Sequence, residues 1–312
     1  MTVTISSRFR KFGTAIFISV PTVAVCAAII YKERNRPRIP EETYCDLREK
    51  TCVISGATSG IGMATAIQLA QRGMGHIIIG SRDAVRGEDA AERIRASSSS
   101  GSTVEVLPLD LADSSSVNSF VKKIRKFHGG IDLLISAAAE IHNKPLITSN
   151  GMDATFCSNH LGLQQFVVGM EPSLMRANGI QDGRSRVVII GSRLENKGII
   201  DPFVLQESRG LQLRPGGSSW NDPLQHYADT KLANQLFVTE ISRQWRDSVD
   251  VVSVSPGMVN TSLWRNFPSW YQVSELLLKY IFRTCIIFRE LNSVVSNVTR
   301  VSIVHFIFCS GK

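Results

Sequence analysis

The chain has 312 residues, enough for one large α/β domain with a full core, and length alone does not require a second. With 43% hydrophobic and 20% charged residues it excludes bulk disorder. The net charge of +8 is concentrated: residues 1–40 hold seven basic side chains against Glu33 alone, so the remainder is close to neutral. That distribution offers no phosphate-tracking stripe and argues against a nucleic-acid partner. The six cysteines, Cys26, Cys45, Cys52, Cys157, Cys285 and Cys309, show neither C-x-x-C nor zinc spacing. They fit reduced, mostly buried thiols better than a disulfide framework, and a single bridge stays open.

After a basic start over residues 1–11, Phe12 to Tyr31 runs twenty residues without a charge. At about 1.5 Å per residue a helix of that length crosses a hydrocarbon core of ~30 Å, so residues 12–31 are expected to be a transmembrane anchor. Pro21 inside it is tolerated in lipid. The rival, a cleaved signal peptide, has an apolar run of about 7–15 residues, shorter than this one. Three basic side chains precede the segment and four follow it, so the positive-inside rule does not settle orientation. The charged, proline-bearing stretch 32–45 reads as a linker, and the folded domain is expected to begin near Asp46 and run to residue 284.

From there short apolar runs (TCVIS, HIIIG, VEVLPLD, IDLLISAAA) alternate with amphipathic ones, which predicts a single α/β domain with a doubly wound, Rossmann-like parallel sheet. The first strand enters GATSGIG, Gly56 to Gly62. Its glycines fail the G-x-G-x-x-G pattern because Thr65 takes the third position, yet they still allow a tight turn and a helix N-terminus near Gly60 facing a pyrophosphate. Behind them Ala66, Leu69, Ala70 and Gly73 form a small-residue stripe suited to packing on a sheet. The second strand ends in Ser81 and Arg82, where a guanidinium would pair with a ribose 2′-phosphate; this favours NADP(H) over NAD(H), with Asp83 arguing the other way. A blander reading has Arg82 and Asp83 opening the next helix. Asp110 is placed to meet an adenine edge, although it competes with Asp113 and Ser114 as a helix cap.

Further along, Tyr227 and Lys231 stand at i and i+4 on one helix face. Reducing a ketone needs a proton for the developing alkoxide, and a free tyrosine with pKa of about 10 holds its proton tightly. The Lys231 ammonium, together with an oxidised nicotinamide ring, favours phenolate and is expected to lower that pKa. Ser192, after VVIIG, can hydrogen-bond a substrate oxygen. His160 and His226 beside these positions read as structural, since an acid and base are already supplied.

These ordered motifs resemble the short-chain dehydrogenase/reductase family over about residues 48–265, in particular its membrane-anchored retinol dehydrogenase-like branch. The glycine motif is Ser55-Gly56 to Gly62, the active-site asparagine matches Asn159 in NHLG, the serine Ser192, and Y-x-x-x-K is Tyr227 to Lys231. The P-G turn that lines the nicotinamide pocket matches Pro256-Gly257, continuing through Val259 to Thr261. The resemblance implies a catalytic set of Asn159, Ser192, Tyr227 and Lys231, with Lys231 also holding the nicotinamide ribose and Asn159 positioning a water. It implies cofactor contacts from Ser55, Gly56, Ser59, Gly60, Ile61, Gly62, Ser81, Arg82, Asp110, Leu111, Ser136, Ala137, Ala138, Tyr227, Lys231, Pro256, Gly257, Val259 and Thr261, and no metal. The implied activity is interconversion of alcohol and carbonyl on a lipophilic substrate such as a retinoid, steroid or fatty aldehyde. The implied setting is a single-pass protein of the endoplasmic reticulum with its catalytic domain facing the cytosol, and a homodimer is compatible with it.

Three stretches depart from that pattern. Ser136-Ala137-Ala138-Ala139 replaces the family's N-N-A-G, losing an amide and adding a methyl where a glycine stands. The segment from Ser192 to Tyr227 is a long excursion that either shapes substrate entry or is a surface insertion. Residues 285–312 do not align and contain the β-prone run VSIVHFIFC, either a last strand or the mark of a truncated or alternatively spliced end. The alternative function is a catalytically inactive Rossmann-like binding or scaffold protein.

Overall fold

The computed structural model describes residues 46–144, 146–149, 151–177, 179, 183–201, 222–256 and 263. The anchor over 12–31, the linker, Gly257, Val259, Thr261 and the tail after Thr284 lie outside the described residues. Among the described residues no helix is long and apolar enough to cross a membrane.

Six strands form one parallel sheet: β1 (Thr51–Ser55), β2 (His76–Ser81), β3 (Thr103–Pro108), β4 (Leu133–Ser136), β5 (Ser185–Ile190) and β6 (Val249–Val254), in the order β3-β2-β1-β4-β5-β6. Apolar runs fit the central strands because both faces are covered. Cys52 and Ile54 enter one core with Ile77, Ile79, Leu133, Ile135, Val188 and Ile190. Val53 points the other way with Ile78, Leu134, Val187 and Ile189. Each such fully buried aliphatic side chain contributes about 1.5–3 kcal/mol, so strand register is strongly specified.

The helices divide between the two faces. On the Cys52 face lie α1 (Gly60–Gln71) and α2 (Ala84–Ala96), with Met63, Ala66, Leu69, Ala70, Ala90, Ala91 and Ile94 buried. The predicted small-residue stripe holds for Ala66, Leu69 and Ala70. Gly73 is not part of it: it sits past the helix end at φ +81°, where it turns the chain toward β2. On the other face α3 (Ser114–Phe127) buries Val117, Phe120, Val121 and Ile124, the i, i+3, i+4, i+7 face of an amphipathic helix.

Beside α3 runs a composite helix α4, made of Ala154–Phe156, a π-helical turn Cys157–Leu161 and Gly162–Gly169. A short α5 (Glu171–Leu174) leads into β5, and a 3₁₀ turn Arg193–Lys197 follows it. The long α6 (Pro223–Gln244) starts with Pro223 in its first turn and Asp222 accepting from the Gln225 N–H, a paired start signal. Because all six strands are parallel, their C-terminal ends open on one edge. The chain reverses its winding there between β1 and β4, the place where such sheets bind ligands.

Candidate active site

Gly56 leaves β1 at φ +78°, and a Cβ there would stand 2.5 Å from the Ala138 backbone nitrogen. A Cβ on Gly62 would meet the Gly56 carbonyl oxygen at 2.3 Å. Glycine is therefore required at both for α1 to begin tight against the turn. The first turn of α1 carries no acidic residue, so its positive end fits a phosphate group of a dinucleotide. Ser59 is the N-cap of α1, and Gly60 and Ile61 open it.

The loop after β4 packs directly on that turn. Ser136 reaches Ser55 across the β1–β4 seam, Oγ to Oγ 3.3 Å, and the Ala137 N–H donates to the Ser55 carbonyl. Serine thus restores a polar link between the strands in place of the missing asparagine. Ala137, Ala138 and Ala139 pack against three different apolar clusters.

At the end of β2, Ser81 Oγ donates to the Asp83 carbonyl and Asp83 caps α2 by accepting from the Arg86 N–H. Asp83 is thereby a cap, as the blander reading had it. Arg82 is not: its Nη1 donates to Glu140 Oε2 at 3.0 Å. Burial pushes the Glu140 carboxyl up, but His142 and Arg82 outweigh it and hold the pKa below the ordinary value. Asp110 Oδ1 accepts from the Ala112 N–H while Asp113 caps α3, so Asp110 is free of the helix-cap role; Leu111 beside it is buried.

The residues expected to carry the chemistry come from the end of β5, from α4 and from α6. Tyr227 and Lys231 are both buried on one face of α6. Lys231 Nζ donates to the Ile190 carbonyl at 2.8 Å and sits 5.4 Å from the Tyr227 ring centroid. Burial lowers the Lys231 pKa to about 8, against the opposing charge of Glu195. Burial raises the Tyr227 phenol above its ordinary value. The expected lowering is that of Lys231 together with an oxidised nicotinamide; in the protein alone Nζ is held at a β5 carbonyl and desolvation dominates. Ser192 Oγ accepts from the Leu194 N–H at 3.2 Å, capping the 3₁₀ turn that follows β5.

Asn159 lies in the π-helical turn of α4, fully buried. Its Oδ1 accepts from the Glu140 N–H and its Nδ2 donates to the Glu140 carbonyl, both at 2.8 Å. Its own carbonyl accepts from Asn234 Nδ2 at 2.9 Å. Asn159 therefore stitches the loop after β4 to α4 and α6, a positioning arrangement the sequence motif did not reveal. Asn234 and Thr230 were missed, although Tyr227, Lys231 and Asn234 fall at i, i+4 and i+7 and the spacing could have found Asn234. His160 pairs with Asn234 and stacks near Phe156, and His226 is buried against Asp153 at 2.6 Å, both structural as expected. Pro256 follows β6 at the same edge of the sheet.

A family model described as short chain dehydrogenase matches residues 50–201, and the human dehydrogenase/reductase SDR family member 13 is 32% identical over 231 residues, 72% of this chain. The chain belongs to the short-chain dehydrogenase/reductase family. Mouse retinol dehydrogenase 14 is 31% identical over 70% of this chain. The matches span 56% of the human relative and 63% of the mouse one, less than two thirds of either. Among solved structures, a 3-oxoacyl (acyl-carrier-protein) reductase from Agrobacterium tumefaciens with NADP bound superposes with a TM-score of 0.59. At 23% identity, over 83% of this chain and 90% of that one, it shares the short-chain dehydrogenase/reductase fold.

Proposed function

We propose that this protein is an NADP(H)-dependent oxidoreductase that interconverts an alcohol and a carbonyl on a lipophilic substrate, with Tyr227 as general acid and base. The observation that carries the reading is the buried Tyr227–Lys231 pair at the same sheet edge as the glycine turn and Ser192. The nicotinamide, when bound, supplies or accepts hydride. The chain's own residues do the rest. The turn from Gly56 to Gly62 and the N-terminus of α1 would hold the pyrophosphate, Arg82 would serve the adenosine ribose, and Asp110 and Leu111 the adenine. Ser192 orients the substrate oxygen, Tyr227 gives or takes its proton, and Lys231 steadies the phenolate when the proton has left.

A lipophilic substrate is supported by the resemblance to mouse retinol dehydrogenase 14 and by the apolar segment 12–31, which would anchor the domain at the bilayer where such molecules partition. The corresponding setting is the endoplasmic reticulum membrane, domain toward the cytosol, with a homodimer compatible. Arg82 and the NADP-bound neighbour favour NADP(H) over NAD(H). A second reading, nucleotide binding without turnover, is favoured by Asn159, whose amide and carbonyl are both engaged by protein groups. The two separate in one experiment: NADPH and NADH oxidation over a panel of retinoid, steroid and fatty carbonyls, with Tyr227→Phe as control. Turnover that falls at least a hundredfold in Tyr227→Phe while NADPH still binds supports catalysis. Cofactor binding with no turnover on any member supports the second reading.

A further inference from the structure

Away from the cofactor edge, three side chains from three elements converge. His76 opens β2, Glu105 lies in β3 on the same sheet face, and His128 ends α3 above them. β2 runs six residues to Ser81, so the cluster sits roughly 16 Å from the cofactor end at ~3.3 Å per residue. His128 Nε2 is 3.3 Å and His76 Nε2 3.7 Å from the same Glu105 Oε2. The three ligand atoms all lie within 4.8 Å of one another.

Those separations are long for N–H···O hydrogen bonds, which cluster near 2.9–3.0 Å. They suit a shared ion: metal bonds of about 2.0–2.1 Å place tetrahedral ligand atoms roughly 3.3–3.4 Å apart. Two of the three edges, at 3.3 and 3.7 Å, are already near that length, and the third is no longer than 4.8 Å, within reach of a small turn of one ring. Each side chain keeps some exposure, which gives an ion and a water access. Two imidazoles and one carboxylate form a borderline donor set that suits zinc rather than calcium or magnesium.

We propose that His76, Glu105 and His128 bind one divalent ion of the zinc type, with water completing the shell, and that this ion clamps the end of α3 onto β2 and β3. The site is independent of the oxidoreductase reading. The test uses the untagged full chain, stripped with chelator and then titrated with zinc chloride against a chromophoric competitor. One tight equivalent that raises the melting temperature is expected, weakened at least tenfold in His76→Gln and in Glu105→Gln, with the melting shift lost. X-ray absorption on the zinc-loaded wild type needs no variant and should show two imidazoles with oxygen and no sulfur. Absence of a tight equivalent, sulfur in the shell, or an equivalent unchanged in His76→Gln and Glu105→Gln overturns the proposal.

Discussion

Arg82 Nη1 donates to Glu140 Oε2 at 3.0 Å, tying the end of β2 to the loop after β4 over the end of β1, which lies between them. The guanidinium that the sequence assigns to a ribose phosphate is thus held by a carboxylate of the protein. Arg82 is half exposed, so the pair itself is worth no more than about 1 kcal/mol. Removing the competitor should release the guanidinium. Glu140→Gln is expected to tighten NADPH about three- to fivefold and leave NADH nearly unchanged, while Arg82→Ala weakens NADPH alone. Fluorescence titration with both nucleotides checks this. Equal effects on the two would mean that Arg82 does not read the phosphate.

Gly62 has no room for a methyl group, since its Cβ would stand 2.3 Å from backbone rather than from a side chain able to move. Gly62→Ala must therefore push α1 away from the Gly56 turn. Nucleotide affinity is expected to fall at least tenfold, with stability lowered by about 1–3 kcal/mol from overpacking. Titration of NADPH alongside urea denaturation tests both, and unchanged affinity would separate α1 from the nucleotide site.

The fold was legible because apolar runs and helix starts report local physics. TCVIS and HIIIG are buried on both faces, and Asp83, Asp113 and Asp222 cap helices as acidic N-terminal residues do. The Tyr227–Lys231 face was legible from spacing alone. What spacing could not give is long-range pairing. Glu140 meeting Arg82, Asn159 closing on the Glu140 backbone and Asp153 meeting His226 join residues far apart in the chain, and nothing in either local segment names the partner. The rise of the Tyr227 phenol in the protein alone was not legible for a related reason. A neighbouring charge can be read from a sequence, whereas depth of burial depends on the assembled core.

Asp153 and His226 are each about 1% exposed, with Asp153 Oδ1 meeting His226 Nε2 at 2.6 Å and accepting from the Phe156 N–H at 2.7 Å. One carboxylate oxygen therefore caps the start of α4 and anchors the residue before Tyr227. Asp153→Ala leaves a buried imidazole and a helix N–H without that partner and is expected to cost about 3–5 kcal/mol. Asp153→Asn keeps an acceptor and should lose less. Chemical denaturation of both variants decides it; a loss below about 1 kcal/mol for Asp153→Ala would rule out an anchoring role.

Lys231 links stability to the proposed chemistry through a sign that can be worked out. Its pKa is lowered from 10.5 to about 8 by burial. Below about pH 8 the side chain is charged both folded and unfolded, and the full desolvation penalty applies. Between that point and its unfolded pKa the folded lysine has lost its proton while the unfolded one keeps it, so unfolding takes up a proton and stability rises with pH. The gain from about pH 7 to about pH 9.5 is on the order of 2 kcal/mol, before ionisation of unfolded tyrosine begins to subtract. Lys231→Met should flatten that rise, as urea denaturation at each pH would show; an equal slope in the variant would place the titration elsewhere. The same burial that makes the ammonium costly makes it responsive to a negative neighbour. Loss of the Tyr227 proton places a phenolate on the ring whose centroid is 5.4 Å from Nζ, and pairing then offsets part of the cost of burying both charges. In the proposed cycle Lys231 would contribute most when Tyr227 is ionised, the half in which an alcohol gives up its proton.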